Sequence, residues 1–178
     1  MSMSIALTED HRTLADTVAD FLSKHDARGQ ARRLLEGGDA EQPSFWNDVA
    51  SLGWLGLHLP EAHGGSGFGL EELVVVVEQF GRALAPGAFV PTVAASAVIA
   101  AAGDDVQARL LPGLADGTVT GAVALDGDLS LDGGAVSGSA IVIGGGLADV
   151  LVVPVGDDVA VIERAASGVT IDVPTNLD

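Results

Sequence analysis

Cysteine and tyrosine are both absent from this chain, and it holds a single lysine, Lys24. Without cysteine there is no disulfide framework, no thiolate metal site and no cysteine nucleophile. Lysine and arginine together number 8 against 25 aspartates and glutamates, a formal net charge of -17. Only Arg164 is cationic after Arg109. Gripping a phosphate backbone takes clustered cations, so nucleic acid and an anionic membrane surface are both unsuitable partners. Long hydrophobic runs are missing as well. The most apolar stretch, Phe89 to Ala102, is too short and too alanine-rich to span a bilayer. Met1 to Arg12 carries Glu9 and Asp10 and no long apolar segment, which does not fit a secretory signal. These absences point to a cytoplasmic protein.

What remains is enough to fold. The 178 residues are 48% hydrophobic, mostly through small aliphatics, with five Phe and two Trp as the large rings. That is too apolar for disorder and long enough for one large domain or two small ones. Up to about Gly117 the apolar residues recur at helical spacing. Leu14, Val18, Phe21 and Leu22 form a stripe behind Thr8, an N-cap followed by Glu9 and Asp10. Pro43 opens a second helix with Trp46, Val49 and Leu52 inward and Gly53 stopping it. Leu70, Leu73, Val74, Val77 and Leu84 mark a third helix, and Pro91–Ala102 a fourth. Asp104–Leu111 is the fifth, capped by Asp104 and halted by Pro112. Trp46, Leu52, Trp54, Leu73, Val77 and Phe80 are the expected core.

After Gly117 the pattern shortens to strand-sized runs at Thr118–Leu125, Leu129–Leu131, Ala140–Ile143, Val150–Val155, Val159–Glu163 and Val169–Val173. Glycine-rich turns separate them, with Gly144-Gly145-Gly146 read as a hairpin turn. Helices followed by closely spaced strands give an α+β chain. The expected fold is an N-terminal all-helical domain over residues 1–117, then an incomplete antiparallel β-barrel domain over 118–178.

The stretch from Phe45 to Pro86 is distinctive. It holds Phe45-Trp46, then Leu52-Gly53-Trp54-Leu55-Gly56, then Pro60-Glu61-Ala62-His63-Gly64-Gly65-Ser66-Gly67, and it ends Glu78-Gln79-Phe80-Gly81-Arg82-Ala83-Leu84-Ala85-Pro86. Further on come Leu110-Leu111-Pro112-Gly113-Leu114-Ala115-Asp116-Gly117, Ala148-Asp149, Ser167-Gly168-Val169-Thr170-Ile171 and Asn176-Leu177-Asp178. In this order the segments resemble the acyl-CoA dehydrogenases, flavoenzymes that desaturate acyl-CoA thioesters between Cα and Cβ. The resemblance implies an FAD cofactor, an acyl-CoA substrate, a helical N-terminal domain, a middle β domain and a C-terminal helical bundle. It also implies that this chain stops inside the β domain.

Two consequences follow from the resemblance. The family's catalytic base is a glutamate, usually in the bundle, and no residue here matches it. Glu61, Glu71, Glu72 and Glu78 read instead as solvated or helix-capping groups, so no catalytic residue is assigned. The flavin segments map onto Ala124, Leu125 and Asp126 and onto Val142 and Ile143, but their chemistry is altered. After Leu125 the family's Thr-Glu-Pro is replaced by Asp126-Gly127-Asp128 in a shortened loop. Ile141-Val142-Ile143 stands where an aromatic and a hydroxyl residue shield and bind the ring. A carboxylate beside an electron-rich ring is repelled once that ring is reduced. The resemblance thus implies the N-terminal portion of an FAD-dependent acyl-CoA dehydrogenase in which FAD binding is weak or lost, or alternatively a non-catalytic half or subunit that pairs with an intact dehydrogenase polypeptide in a heteromeric or fused enzyme. The Ala/Gly/Val/Asp-rich composition suits an actinobacterial steroid-side-chain enzyme. A homo- or hetero-oligomer with an acyl-CoA dehydrogenase subunit, or a downstream domain, is expected to cover the chain, because the strands leave an open edge, placed near Val169–Val173.

The remaining candidates have plain readings. His63 is a loop-packing residue, and His11, His25 and His58 are too scattered for a metal. Asp126, Asp128 and Asp132 lack a calcium-loop pattern and read as a solvated turn.

Overall fold

A computed structural model describes residues 7–37 and 41–173. The Asn176-Leu177-Asp178 segment lies outside the described residues. Six α-helices precede a four-stranded sheet.

The first helix, α1 (Glu9–Lys24), starts where expected. Thr8 Oγ1 accepts from His11 N at 3.1 Å, and His11 Nδ1 accepts from Thr8 N at 3.3 Å. Histidine therefore fills the place that glutamate or glutamine takes in the usual reciprocal cap. Val18 and Leu22 are buried, with Leu14 and Phe21 packed beside them. Helix α2 (Ala27–Leu35) had no apolar stripe to announce it, and only Ala27 is buried. Its signal was subtler, a run of strong helix formers with Arg32 and Arg33 in the last turn.

Helix α3 (Trp46–Ser51) follows the turn at Pro43, and Gly53 ends it with φ +72°. Trp46 and Val49 face inward, but Leu52 lies exposed on the C-terminal side, contrary to the stripe reading. Helix α4 (Leu70–Ala83) begins with Gly69 N donating to Glu72 at 3.0 Å. Its buried face runs through Leu73, Val75, Val76 and Phe80, with Val77 half-buried and Leu70 and Val74 in solvent. The run of four valines made the phase of that face illegible. Helix α5 (Phe89–Ile99) is apolar almost all round. Helix α6 (Asp104–Ala115) follows an N-cap at Gly103, not Asp104, and passes through Pro112 instead of stopping there. The proline forfeits the amide bond to the Ala108 carbonyl one turn back, and buried Leu110, Leu111, Leu114 and Ala115 hold the last turn in place despite it.

Rings knit the helical core. Phe80 stacks on Phe89 at 4.0 Å between centroids, and Phe21 meets Trp54 edge-on at 5.1 Å. A second cluster, centred on Leu59, Ala95, Ile99, Leu111 and Leu114, reaches Val150 and Val152 and so ties helices to sheet. Trp46 Nε1 donates to the Gly117 carbonyl at 3.1 Å, which fastens it to the turn leading from the last helix into the sheet.

The strands are β1 (Gly121–Asp132), β2 (Ala135–Val142), β3 (Val150–Val155) and β4 (Asp158–Glu163), in the order β2-β1-β3-β4. The sheet is open, as the α+β reading requires, but it is mixed. β1 pairs antiparallel with β2 and parallel with β3 over Gly121–Val123, while β3 and β4 are antiparallel. Among the described residues no helix longer than a 3-10 turn intervenes after Gly117. The parallel pair arises because Gly144 to Leu147 is a crossover and not a hairpin turn. A 3-10 turn at Gly145–Leu147 carries the chain from β2 across β1 to β3. Arg164 steadies that crossover by donating to the Gly146 carbonyl at 2.7 Å. Leu129–Leu131 is no separate strand, since β1 runs unbroken through Asp126-Gly127-Asp128.

Val169–Val173 forms no strand. Ile171 packs on the inner sheet cluster and Val173 lies against Gly146, so the segment crosses the sheet by side-chain contact without joining its ladder. The open edges are therefore β2 and β4. Among the described residues no helix is long and apolar enough to cross a membrane.

Candidate functional site

The five expected cofactor residues fall at one place, the root of the β1–β2 hairpin, but they do not share a face. Ala124 pairs with Val142 and Asp126 with Ile141, so Leu125 is an extra residue in β1, a β-bulge. Ala124 is buried, and Val142 packs against the inner cluster. Ala124 thus lies in the core, and Val142 is half-buried against it. Leu125, Asp126 and Ile143 point outward.

The bulge decides what they join. In a regular strand Leu125 and Asp126 would lie on opposite faces, whereas here both are exposed. They line an open groove of about 640 Å³ with Asp128, Ser139 and Ile141. Leu125 is 84% exposed, Ile141 86% and Ile143 70%. Ile141 was legible only as part of its segment. Its out-in-out alternation with Val142 and Ile143 was the usable signal, but the outward phase depends on the bulge. The expected solvated turn at Asp126-Gly127-Asp128 is strand, and one Asp126 oxygen accepts from Gly127 N at 2.8 Å.

These side chains do not fit a flavin ring. An isoalloxazine presents polar nitrogens and oxygens along its edge and needs donors placed against them. The groove offers three aliphatic side chains, two carboxylates and the hydroxyl of Ser139. No lysine or arginine occurs between Arg109 and Arg164 to meet a pyrophosphate.

Elsewhere, polar groups are bound up in structure. Glu72 accepts from Gly69 and faces His11 Nε2 at 3.4 Å, joining the N-terminal ends of α1 and α4. Hydrogen bonds from its own backbone N–H, His11 and Gly69 hold its carboxyl below the usual range, against a smaller opposing effect of burial. Glu78 pairs with Arg82 at 2.7 Å. His63 sits half-buried in a 3-10 turn (Glu61–His63). His58 Nε2 lies 3.1 Å from Ser96 Oγ, while its Nδ1 is sealed in without a partner among the described residues. Burial lowers the His58 pKa. Ser96 is fully buried, which rules it out as a nucleophile for an outside substrate. No three His, Asp or Glu side chains among the described residues converge on a metal position.

Where β1 and β3 begin, buried Thr120 and exposed Asp149 form a staple. Asp149 Oδ2 accepts from Thr120 N and lies 2.9 Å from Thr120 Oγ1, which also reaches the Leu147 carbonyl at 2.6 Å. This gives Ala148-Asp149 a structural role in starting the parallel pair.

Comparison with known proteins agrees with this architecture. Residues 8–118 match the family model for the acyl-CoA dehydrogenase N-terminal domain. The acyl-CoA dehydrogenase IpdE2 of Mycobacterium tuberculosis is 35% identical over 127 residues, which cover 70% of this chain and 39% of IpdE2. Among solved structures, a variant of the Tcur3481-Tcur3483 steroid ACAD aligns with TM-score 0.77 at 30% identity, over 92% of this chain and 50% of that one. The ChsE4-ChsE5 complex from Mycobacterium tuberculosis gives TM-score 0.82 at 24% identity, over 96% and 51%. The chain thus spans about two-fifths of the length of IpdE2 and half of each of these solved chains. With more than half of its residues inside the family's N-terminal domain, this chain belongs to the acyl-CoA dehydrogenase family.

Proposed function

We propose that this chain provides the helical domain, residues 1–117, and part of the middle β domain, residues 118–178, of an acyl-CoA dehydrogenase. In this reading it is the half that does not hold FAD. The α,β-desaturation of the acyl-CoA thioester, with flavin as hydride acceptor, belongs to a companion dehydrogenase polypeptide. One observation carries the proposal. Leu125, Ile141 and Ile143 stand exposed on one face where the resemblance places flavin contacts, and they bring no hydrogen-bonding groups to it. The chain's own carboxylates point the same way. Glu72 is spent on a helix cap, and no glutamate among the described residues lines the groove.

The likeness to a steroid ACAD at 30% identity supports an acyl group of the steroid class. The two named components of the ChsE4-ChsE5 complex support a hetero-oligomer. The lack of cysteine and of any membrane-length helix among the described residues supports the cytoplasm as its location. The test is an acyl-CoA-dependent reduction of an electron acceptor, measured with the chain alone and with a companion dehydrogenase polypeptide added. The proposal expects no turnover alone and turnover in the pair. Turnover by the isolated chain would overturn it.

A further inference from the structure

The groove at the β1–β2 hairpin combines three features that bear on what covers it. First, it exposes three large aliphatic side chains together, two of them more than four-fifths in solvent. Contiguous exposed apolar surface of this kind marks an interaction site more often than a free surface. Second, the exposure is built in. The bulge at Leu125 turns that side chain to the same face as Ile141, where a regular strand would have turned either Leu125 or Asp126 inward. Third, the apolar centre has a rim of one sign. Asp126 and Asp128 line it, Asp132 ends the same strand, and no cation lies on either strand of the hairpin.

These features separate the possible occupants. FAD would place its phosphate charges near two carboxylates with no lysine or arginine to offset them, and its ring edge against aliphatic side chains. A second copy would bring the same aspartates against one another, on chains that each carry a formal charge of -17. Like charges across an interface cost several kcal/mol and slow encounter. The complementary surface is an apolar centre ringed by lysine or arginine. This matches the usual anatomy of a specific protein interface, a hydrophobic middle with a polar border.

We propose that the Leu125–Ile141–Ile143 face is the docking surface for the companion acyl-CoA dehydrogenase polypeptide, which meets it with an apolar segment flanked by lysines or arginines. The inference rests on the proposed function for the companion's identity, and on the groove alone for its chemistry. Docking here puts protein where a flavin would otherwise lie. It therefore makes loss of the cofactor a requirement of assembly and not an incidental decay.

The experiment places a benzophenone photo-crosslinking residue at position 141 of the full chain in its native cells. A control at Val159, exposed on β4, reports contacts unrelated to the groove. The expected product from position 141 is a link to an acyl-CoA dehydrogenase polypeptide, at an apolar residue with lysine or arginine close by in sequence. An Asp126→Lys, Asp128→Lys chain should lose that product about tenfold while melting as the parent does. Links only to a second copy, links within the same polypeptide, no link at all, or an unchanged yield after charge reversal would each overturn the docking surface. FAD is measured on the same purified material. A flavin-free chain with no link refutes the docking surface alone, whereas stoichiometric flavin refutes the proposed function too.

Discussion

Replacing Thr120 by valine tests how the helical part hands over to the sheet. The substitution keeps the side chain's volume and removes only the hydroxyl. That hydroxyl lies 2.6 Å from the Leu147 carbonyl and 2.9 Å from Asp149 Oδ2, in a site where Thr120 is 6% exposed. The hydroxyl has one proton to share between the half-buried Leu147 carbonyl and the exposed Asp149 carboxylate, which keeps the Thr120 N–H and can turn to water. The loss therefore falls on the carbonyl, at about 1–2 kcal/mol for a partly buried acceptor. For a chain of this size each kcal/mol moves the midpoint by roughly 2–4 °C, so Thr120→Val should melt about 2–8 °C lower. Thr120→Ser keeps the hydroxyl and gives up a methyl group, at a cost of about 0.5–1.5 kcal/mol, and should lie between the two. Thermal unfolding followed by circular dichroism measures all three chains. A valine variant as stable as the parent, or a serine variant as damaged as the valine one, would show that packing and not the staple holds this junction.

Phe80→Ala removes the ring stacked on Phe89 and should cost about 3–5 kcal/mol in a denaturant titration; a loss below about 1 kcal/mol would mean that the core collapses into the gap. Burial depresses the His58 pKa, so the unfolded chain takes up its proton at a higher pH than the folded chain does. Stability attributable to His58 is accordingly intact above the unfolded value, about 6.5, and is lost as pH falls from there toward the folded value. His58→Asn should flatten the melting-point curve across that window, and parallel curves for parent and variant would contradict the assignment.

How far the sequence could be read depended on whether a local rule or a long-range partner decided each element. Thr8 with Glu9 and Asp10 fixed the start of α1, and Gly133-Gly134, with φ of +56° and +86°, closed the β1–β2 turn as such pairs do. The family was legible because several rare elements fall in order over forty residues. Pro112 misled because its cost, one amide bond to the turn before it, is outweighed by the long-range burial of Leu114 and Ala115 beyond it. Val169–Val173 misled because β-branched composition signals fit to a half-buried surface and not a ladder as such, and this segment packs across the sheet cluster without pairing to either open edge. The candidate site was half legible. The segments were located, but which side chains face out is set by one unpaired residue, Leu125, and a bulge leaves no mark in the sequence. Ala124 and Val142 were placed in the site by their position in the segment, and the pleat turns both side chains inward, Ala124 buried and Val142 half-buried.

The central claim is that this half of an acyl-CoA dehydrogenase has exchanged a flavin surface for an apolar one. Flavin content measures it most directly. The chain is purified in the presence of excess FAD, freed of unbound cofactor, and its oxidised-flavin absorbance is compared with the protein concentration. The account predicts a colourless protein. In an Ile141→Trp, Ile143→Thr chain, which restores the aromatic and the hydroxyl, any gain in flavin should remain small while Asp126 and Asp128 stay in place. A yellow parent protein with flavin near one equivalent would contradict the account.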